Sequence, residues 1–292
     1  MTSDMPPLGS HGLTWPALQR LGGKAVCGLL RRRLKKGIGT IVLLVGTPGS
    51  GKSFSALWIA SEIDSSFNAS RVVFDVRDYI GYLAAGTTPG QAVLLDEAGV
   101  LAPARKWQSE GNIALMLTVE SVRHRGLLTL ITVPDVSMVD NTVRKLAYMV
   151  IQCRRVDDKA EEVVARPYEI QLNHFTGVTY RKNPWTLIGG KIDEHGVVVR
   201  PGQPVKWSSV RLGRPPLALE TEYQAKRKAA MDALYKSLSD SLTESKETVA
   251  IATAQRPTVT CGRCGYSWRH GGSGRYIKCY KCGFSMKRDV QS

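Results

Sequence analysis

The sequence predicts an α/β protein: a core with a central, mostly parallel sheet, a small β extension, and a compact cysteine-rich module at the C-terminus. Three observations carry this. From residue 39 to about 155, short apolar runs alternate with segments whose apolar residues recur at helical spacing, as in strands joined by crossover helices. From about 160 to 210 the texture changes to short segments separated by turn residues, the mark of antiparallel strands. Two Cys-x-x-Cys pairs then stand close together near the end. A chain of 292 residues has room for one core of about 200 residues and an appendage.

The elements follow in order. Residues 1–38 form a basic lead-in, a Pro/Gly-bearing start followed by a short helix through Leu29-Leu30 and the run Arg31-Arg32-Arg33. Strands are predicted at 41–45, 71–76, 92–95, 127–133 and 148–153, with helices over 52–63, 112–123 and 139–147. In the last helix Val139, Val143, Leu146 and Ala147 share a face, so Arg144 points elsewhere. The β extension at about 160–210 contains the runs Tyr168 to Leu172, Gly177 to Tyr180 and Gly196 to Val199, and Pro201, Pro204, Pro215 and Pro216 punctuate its end. A helix rich in Ala, Lys and Glu follows over 217–238, and the polar, Ser/Thr-rich stretch 239–258 is predicted to be a flexible linker. The divisions expected are therefore 1–38, 39–215, 216–258 and 259–292.

Composition narrows the class. With 43% hydrophobic and 22% charged residues the chain is globular rather than disordered. Its apolar stretches fall short of the roughly 20 residues needed to cross a bilayer. The start Met-Thr-Ser-Asp-Met-Pro-Pro lacks the layout of an export signal, so a cytoplasmic protein without a membrane partner is expected. A formal net charge of +15, clustered at Arg31 to Lys36 and again across the last 36 residues, points to a polyanionic partner.

The apolar run Ile41 to Val45 leads directly into Gly46-Thr47-Pro48-Gly49-Ser50-Gly51-Lys52-Ser53, the spacing of a phosphate-binding loop. Glycines let consecutive backbone N–H groups turn toward phosphate oxygens, and the following helix presents its positive dipole end to the same anion. Lys52 would reach the β- and γ-phosphates, and the Ser53 hydroxyl would join the shell of a Mg²⁺ ion. Phe54, Leu57 and Trp58 recur at helical spacing after it, as this motif requires.

Hydrolysis needs a second metal contact and a group to activate water. The run Ala92 to Leu95 delivers Asp96 and Glu97 to the C-terminal end of a strand, where ligands sit in open parallel sheets. Asp96 can hold Mg²⁺ and Glu97 can act as general base. Thr132, near the end of the 127–133 strand, is a candidate sensor of the γ-phosphate. A cation must also meet the developing charge, often an arginine from a neighbouring subunit, and Arg105, Arg123, Arg125 and Arg144 are the candidates. Sequence does not choose among them. Nothing in phosphoryl transfer requires His124.

The order Gly46 to Ser53, Leu95-Asp96-Glu97-Ala98-Gly99, Arg105-Lys106-Trp107, Asn112, Arg123 to Gly126, Thr132 to Asp135 and Val139 to Arg144 resembles the HerA/FtsK superfamily of P-loop ATPases. It looks closest to versions carried by archaeal viruses and plasmids, over about residues 39–155. That resemblance implies a RecA-like P-loop NTPase core assembled as a ring, usually a hexamer, which couples ATP hydrolysis to pumping double-stranded DNA. Genome packaging, conjugation and chromosome segregation are its common settings. Relatives often carry glutamine where this chain has Thr132.

Cys261-Gly-Arg-Cys264 and Cys279-Tyr-Lys-Cys282, each followed by glycine, have the spacing of a zinc ribbon. Four thiolates from two tight turns fill the tetrahedral demand of Zn²⁺, leaving no open position for catalysis. Basic residues (Arg263, Arg269, Arg275, Lys278, Lys281) interleave with Tyr266, Trp268, Tyr276 and Tyr280, which favours a nucleic-acid surface over a protein-docking one. Cys27 and Cys153 fall outside this spacing and are expected to be ordinary buried thiols. The function expected is an ATP-driven motor on double-stranded DNA. The alternatives are an ATPase of virion assembly or export, resembling the zonula-occludens-toxin type and acting on protein cargo, and a nucleotide-gated adaptor that recruits a partner through the ribbon.

Overall fold

A computed structural model describes residues 14–97, 125–188, 191–192, 198–200, 202–254, 258–270 and 276–287. The chain divides into two compact units, Met1–Lys228 and Ala229–Ser292.

The first unit is built on one eight-stranded sheet. Its parallel part runs in the order β5 (Met149–Asp157), β1 (Thr40–Val45), β4 (Leu128–Val133), β3 (Ala92–Leu95) and β2 (Val72–Val73). Strands β1, β3 and β4 are buried along their whole length, which is why they read as continuous apolar runs and not as alternating ones. Antiparallel strands extend the sheet past β5: β6 (Glu162–Leu172) pairs with β5, while β7 (Thr179–Lys182) and β12 (Val210–Leu212) both pair with β6. The expected β extension is thus in large part continuous with the core sheet. Two small hairpins complete it, β8 (Trp185–Ile188) with β11 (Gln203–Lys206), and β9 (Lys191–Ile192) with β10 (Val198–Arg200). The fold class is the expected one, a mixed α/β protein with a central, mostly parallel sheet.

Helix α2 (Lys52–Ile63) has the predicted bounds. Other elements differ from expectation for identifiable reasons. The lead-in is a 21-residue helix, α1 (Trp15–Lys35), whose Gly22, Gly23, Val26, Cys27, Leu30 and Leu34 form a buried stripe. A Cβ on Gly23 would lie 2.2 Å from the Arg211 carbonyl oxygen, so the glycine pair that obscures the helical pattern is what lets β12 approach. The predicted strand 71–76 shrinks to two residues. Asp75 accepts a hydrogen bond from the Arg77 N–H at 2.6 Å and caps a helix, α3 (Val76–Ala84), that buries Val76, Tyr79 and Leu83. The helix expected at 139–147 is six residues, α4 (Asn141–Leu146), capped by Asp140 through the Thr142 N–H. The helix expected at 112–123 lies outside the described residues. Finally, α5 runs from Leu217 to Ala254, so most of the stretch predicted as a flexible linker is helical.

The second unit contains the larger, C-terminal part of α5 and two hairpins, β13 (Thr258–Thr260) with β14 (Ser267–Arg269) and β15 (Tyr276–Lys278) with β16 (Ser285–Lys287). Cys261, Trp268, Ile277 and Cys279 form its small core.

Candidate hydrolytic site and cysteine centre

Strand register brings the predicted residues together. Val45 pairs with Val133 and Leu95 with Ile131, so the loop after β1, the acidic pair after β3 and Thr132 on β4 meet at the C-terminal edge of the sheet. The strands bearing the loop and the acidic pair are not neighbours; β4 lies between them.

The loop itself is tightly held. Gly46 donates its N–H to the Pro134 carbonyl at 3.2 Å, and its backbone has φ 151°. A Cβ there would lie 2.4 Å from the Cys153 carbonyl oxygen and 2.6 Å from Ser50 Oγ. At Gly51, with φ 85°, a Cβ would meet Val163 Cγ2 at 2.5 Å. Both glycines are therefore dictated by left-handed backbone and close approach. Lys52 Nζ donates to the carbonyl oxygens of Gly46 and Thr47 at 2.8 and 2.9 Å, folding the ammonium over the loop. Gly51 makes no side-chain cap, so the first N–H groups of α2 have no capping acceptor from it, and the Ser50 hydroxyl is buried without a partner. A polyphosphate fits this cradle: it would accept from those N–H groups and draw Lys52 off the carbonyls.

Asp96 is fully buried, and three hydroxyls offset the cost of its charge. Ser53 Oγ donates to Oδ1 at 2.8 Å, Thr132 Oγ1 donates to the same oxygen at 2.6 Å, and the Tyr223 hydroxyl donates to Oδ2 at 2.6 Å. With its proton given to Asp96, Ser53 keeps lone pairs for a metal, so Ser53 and Asp96 fit the predicted Mg²⁺ role. Thr132 also accepts the Glu97 N–H at 2.8 Å. Its hydroxyl therefore orients the acidic pair in this structure.

Glu97 adopts φ 53°, unusual for a residue with a Cβ, and its carboxylate is ion-paired to Arg227. Tyr223 and Arg227, both on α5, are site residues that the sequence reading missed. The Tyr223 ring packs between Phe54 and Phe74, with centroids 6.5 and 6.4 Å away. Burial, and then the Asp96 carboxylate, pushes the Tyr223 hydroxyl well above its ordinary range, so it stays a donor.

The arginine candidates part company. Arg125 Nη1 donates to the Leu83 carbonyl at 2.7 Å, which ties it to the end of α3. Arg144 on α4 has a buried Nε without a hydrogen-bond partner. Arg105 and Arg123 lie outside the described residues, as do Trp107, Asn112 and His124. Cys27 and Cys153 are buried, and burial raises their thiols to about 12 and about 11, so both are inert.

In the second unit the four cysteine Sγ atoms lie within 4.8 Å of one another. Cys261 and Cys282 are 3.6 Å apart and Cys264 and Cys279 3.7 Å, too far for disulfides. Zn–S bonds of about 2.3 Å give tetrahedral edges of about 3.8 Å, so this donor set fits Zn²⁺. The two turns match: Gly265 donates to the Cys261 carbonyl and Gly283 to the Cys279 carbonyl, each at 2.9 Å. Trp268 is buried among these turns, whereas Tyr276 and Tyr280 are 68% and 75% exposed. The aromatics therefore divide between packing the module and facing solvent.

The family model described as zonular occludens toxin (Zot) matches residues 66–159. No curated protein is matched. Among solved structures, the N-terminal domain of zonular occludens toxin from Neisseria meningitidis is similar at 16% identity and TM-score 0.31, covering 49% of this chain and 93% of that one. The genome packaging NTPase from Sulfolobus turreted icosahedral virus 2, in complex with ATP-gammaS, is similar at 13% identity and TM-score 0.28, covering 50% and 98%. PCH-2 of C. elegans is similar at 20% identity and TM-score 0.35, covering 49% and 44%.

Proposed function

We propose that the chain is an ATP-hydrolysing motor that acts on double-stranded DNA as an oligomeric ring. The observation that carries hydrolysis is the convergence of Lys52, Ser53, Asp96 and Glu97 at one sheet edge, with Ser53 bonded directly to Asp96. The loop Gly46 to Ser53 would hold the phosphates of ATP, and Ser53 and Asp96 would hold Mg²⁺, which would supply positive charge against the phosphates. Glu97 accepts the proton of the attacking water as general base. An arginine of a neighbouring copy, with Arg105, Arg123 and Arg144 as candidates, completes the charge balance. Four cysteines, Cys261, Cys264, Cys279 and Cys282, would hold a structural Zn²⁺.

Support for DNA as cargo comes from the +15 charge and from its placement. Arg32 of α1 and Lys36, the residue that caps its C-terminus, line a groove of about 770 Å³ that also contains Trp185 and Leu187 of β8. Duplex DNA should raise ATP turnover, and the stimulation should fade as salt rises. Equal turnover with and without DNA at low salt would remove DNA from the proposal.

A second reading makes the cargo a protein of virion assembly or export. The match of residues 66–159 to the zonular occludens toxin family favours it. No helix among the described residues is long and apolar enough to cross a membrane. Loss of DNA stimulation with retained ATPase activity is the outcome expected on this second reading.

A further inference from the structure

The acidic pair is braced by a helix that comes from more than a hundred residues further along the chain. Tyr223, Lys226 and Arg227 fall at spacings of three and four, on one face of α5. Lys226 Nζ donates to the carbonyls of Ala69, Ser70 and Val72 at 3.0, 3.1 and 2.6 Å, fastening the helix beside β2. From that anchor Tyr223 reaches Asp96 and Arg227 reaches Glu97.

Each contact has a specific chemical consequence. Oδ1 of Asp96 is shared by Ser53 and Thr132, and Tyr223 is the donor that fixes Oδ2. A carboxylate so pinned cannot rotate about its terminal torsion. Glu97 has three side-chain torsions and leaves the backbone from a left-handed residue. Only its N–H is fixed by Thr132; among the described residues, Arg227 is the side chain that holds its carboxylate.

We propose that Arg227 and Tyr223 are positioning residues of the hydrolytic reaction, acting through Glu97 and Asp96. The inference rests on the ATPase reading given above and extends it to α5. Arg227 holds one carboxylate oxygen of Glu97, which confines the base to one orientation and leaves the other oxygen for the proton of the attacking water. Tyr223 keeps Asp96 turned toward Ser53.

The test compares wild type with Arg227→Ala, Arg227→Lys, Tyr223→Phe, Glu97→Gln and the double variant Arg227→Ala/Glu97→Gln. Steady-state ATP hydrolysis, the Kd for Mg·ATPγS by fluorescence titration, and thermal melting are read for each. Arg227→Ala should lower kcat about 10- to 100-fold, the scale of a misplaced catalytic group, while KM and the Mg·ATPγS Kd stay within about two-fold. Arg227→Lys should recover part of the loss, and it serves as the folded control where the alanine variant melts early. Adding Arg227→Ala to Glu97→Gln should cost nothing further, because the arginine works through that glutamate. Tyr223→Phe should raise the Mg²⁺ concentration needed for half-maximal Mg·ATPγS binding.

Unchanged or increased kcat in Arg227→Ala overturns the inference, the increase marking a restraint on the base rather than a support. An equal loss in both Glu97 backgrounds overturns it too, since the arginine would then act on the fold at large. A wild-type protein that neither binds Mg·ATPγS nor hydrolyses ATP overturns the ATPase reading itself, and the inference with it.

Discussion

Replacing Gly46 by alanine tests how the loop is held, because both the backbone angle and the space are closed to a side chain. Its φ of 151° is one that residues with a Cβ rarely adopt. The added methyl would sit 2.4 Å from a backbone carbonyl oxygen of β5 and 2.6 Å from Ser50 Oγ. The serine can rotate, but the Cys153 carbonyl belongs to the sheet and cannot. Strained backbone costs about 1–3 kcal/mol and a forced close contact another 1–3 kcal/mol, so Gly46→Ala should lose about 2–6 kcal/mol. For a unit of this size each kcal/mol lowers Tm by about 2–4 °C, which places the drop at roughly 4–24 °C. Where the loop gives way before the sheet, part of that cost appears instead as weaker Mg·ATPγS binding. Thermal unfolding followed by circular dichroism and a fluorescence titration with Mg·ATPγS measure the two together. A variant that melts within about 1 °C of wild type and binds the nucleotide equally well would refute the close packing of Gly46 against β5.

Three further predictions follow. Chelation with a strong zinc ligand, or Cys279→Ser, should unfold the hairpins of the second unit and release one zinc per chain, as measured by metal analysis; full retention of the Trp268 fluorescence signal after chelation would contradict a structural metal. Burial pushes the Asp64 carboxyl up, but hydrogen bonds from Ser66 and the Ala92 N–H, with the Arg71 guanidinium, outweigh it and leave the group below the usual carboxylate range. Its stabilisation is therefore complete above an unfolded pKa of about 3.9 and is lost as pH falls through the lower folded value, so the deficit of Asp64→Asn in urea melts should be constant from pH 7 to 5 and shrink toward pH 3; a deficit that does not change with pH would count against this. Arg32→Ala/Lys36→Ala should flatten the slope of log Kobs for duplex DNA against log salt by up to about two, and an unchanged slope would clear the α1 groove of DNA contact.

The features most legible in the sequence were those whose physics is local. Strands β1, β3 and β4 announce themselves as continuous apolar runs because both faces are buried. The loop, the acidic pair and the two cysteine turns depend on short spacings that the chain cannot form otherwise. What escaped depends on tertiary partners. The Gly22-Gly23 pair reads as a helix breaker until Arg211 is seen to need that space. Asp75 is a recognisable cap, yet the apolar residues Val72 to Phe74 ahead of it invited a longer strand. Thr132 was legible as a site residue, but register alone shows that its partner is Asp96. Tyr223 and Arg227 gave only a weak signal, two polar-tipped residues four apart on a charged helix, with nothing local to name Asp96 and Glu97 as their targets.

Separating binding from hydrolysis tests the central claim, that the loop and the acidic pair form one ATP-hydrolysing site. Phosphate release and Mg·ATPγS affinity should be measured on wild type, Lys52→Ala and Glu97→Gln. Loss of nucleotide binding is expected in Lys52→Ala. Near-normal binding with turnover lowered at least about 100-fold is expected in Glu97→Gln. Wild-type turnover in Glu97→Gln, or undiminished binding in Lys52→Ala, would contradict it.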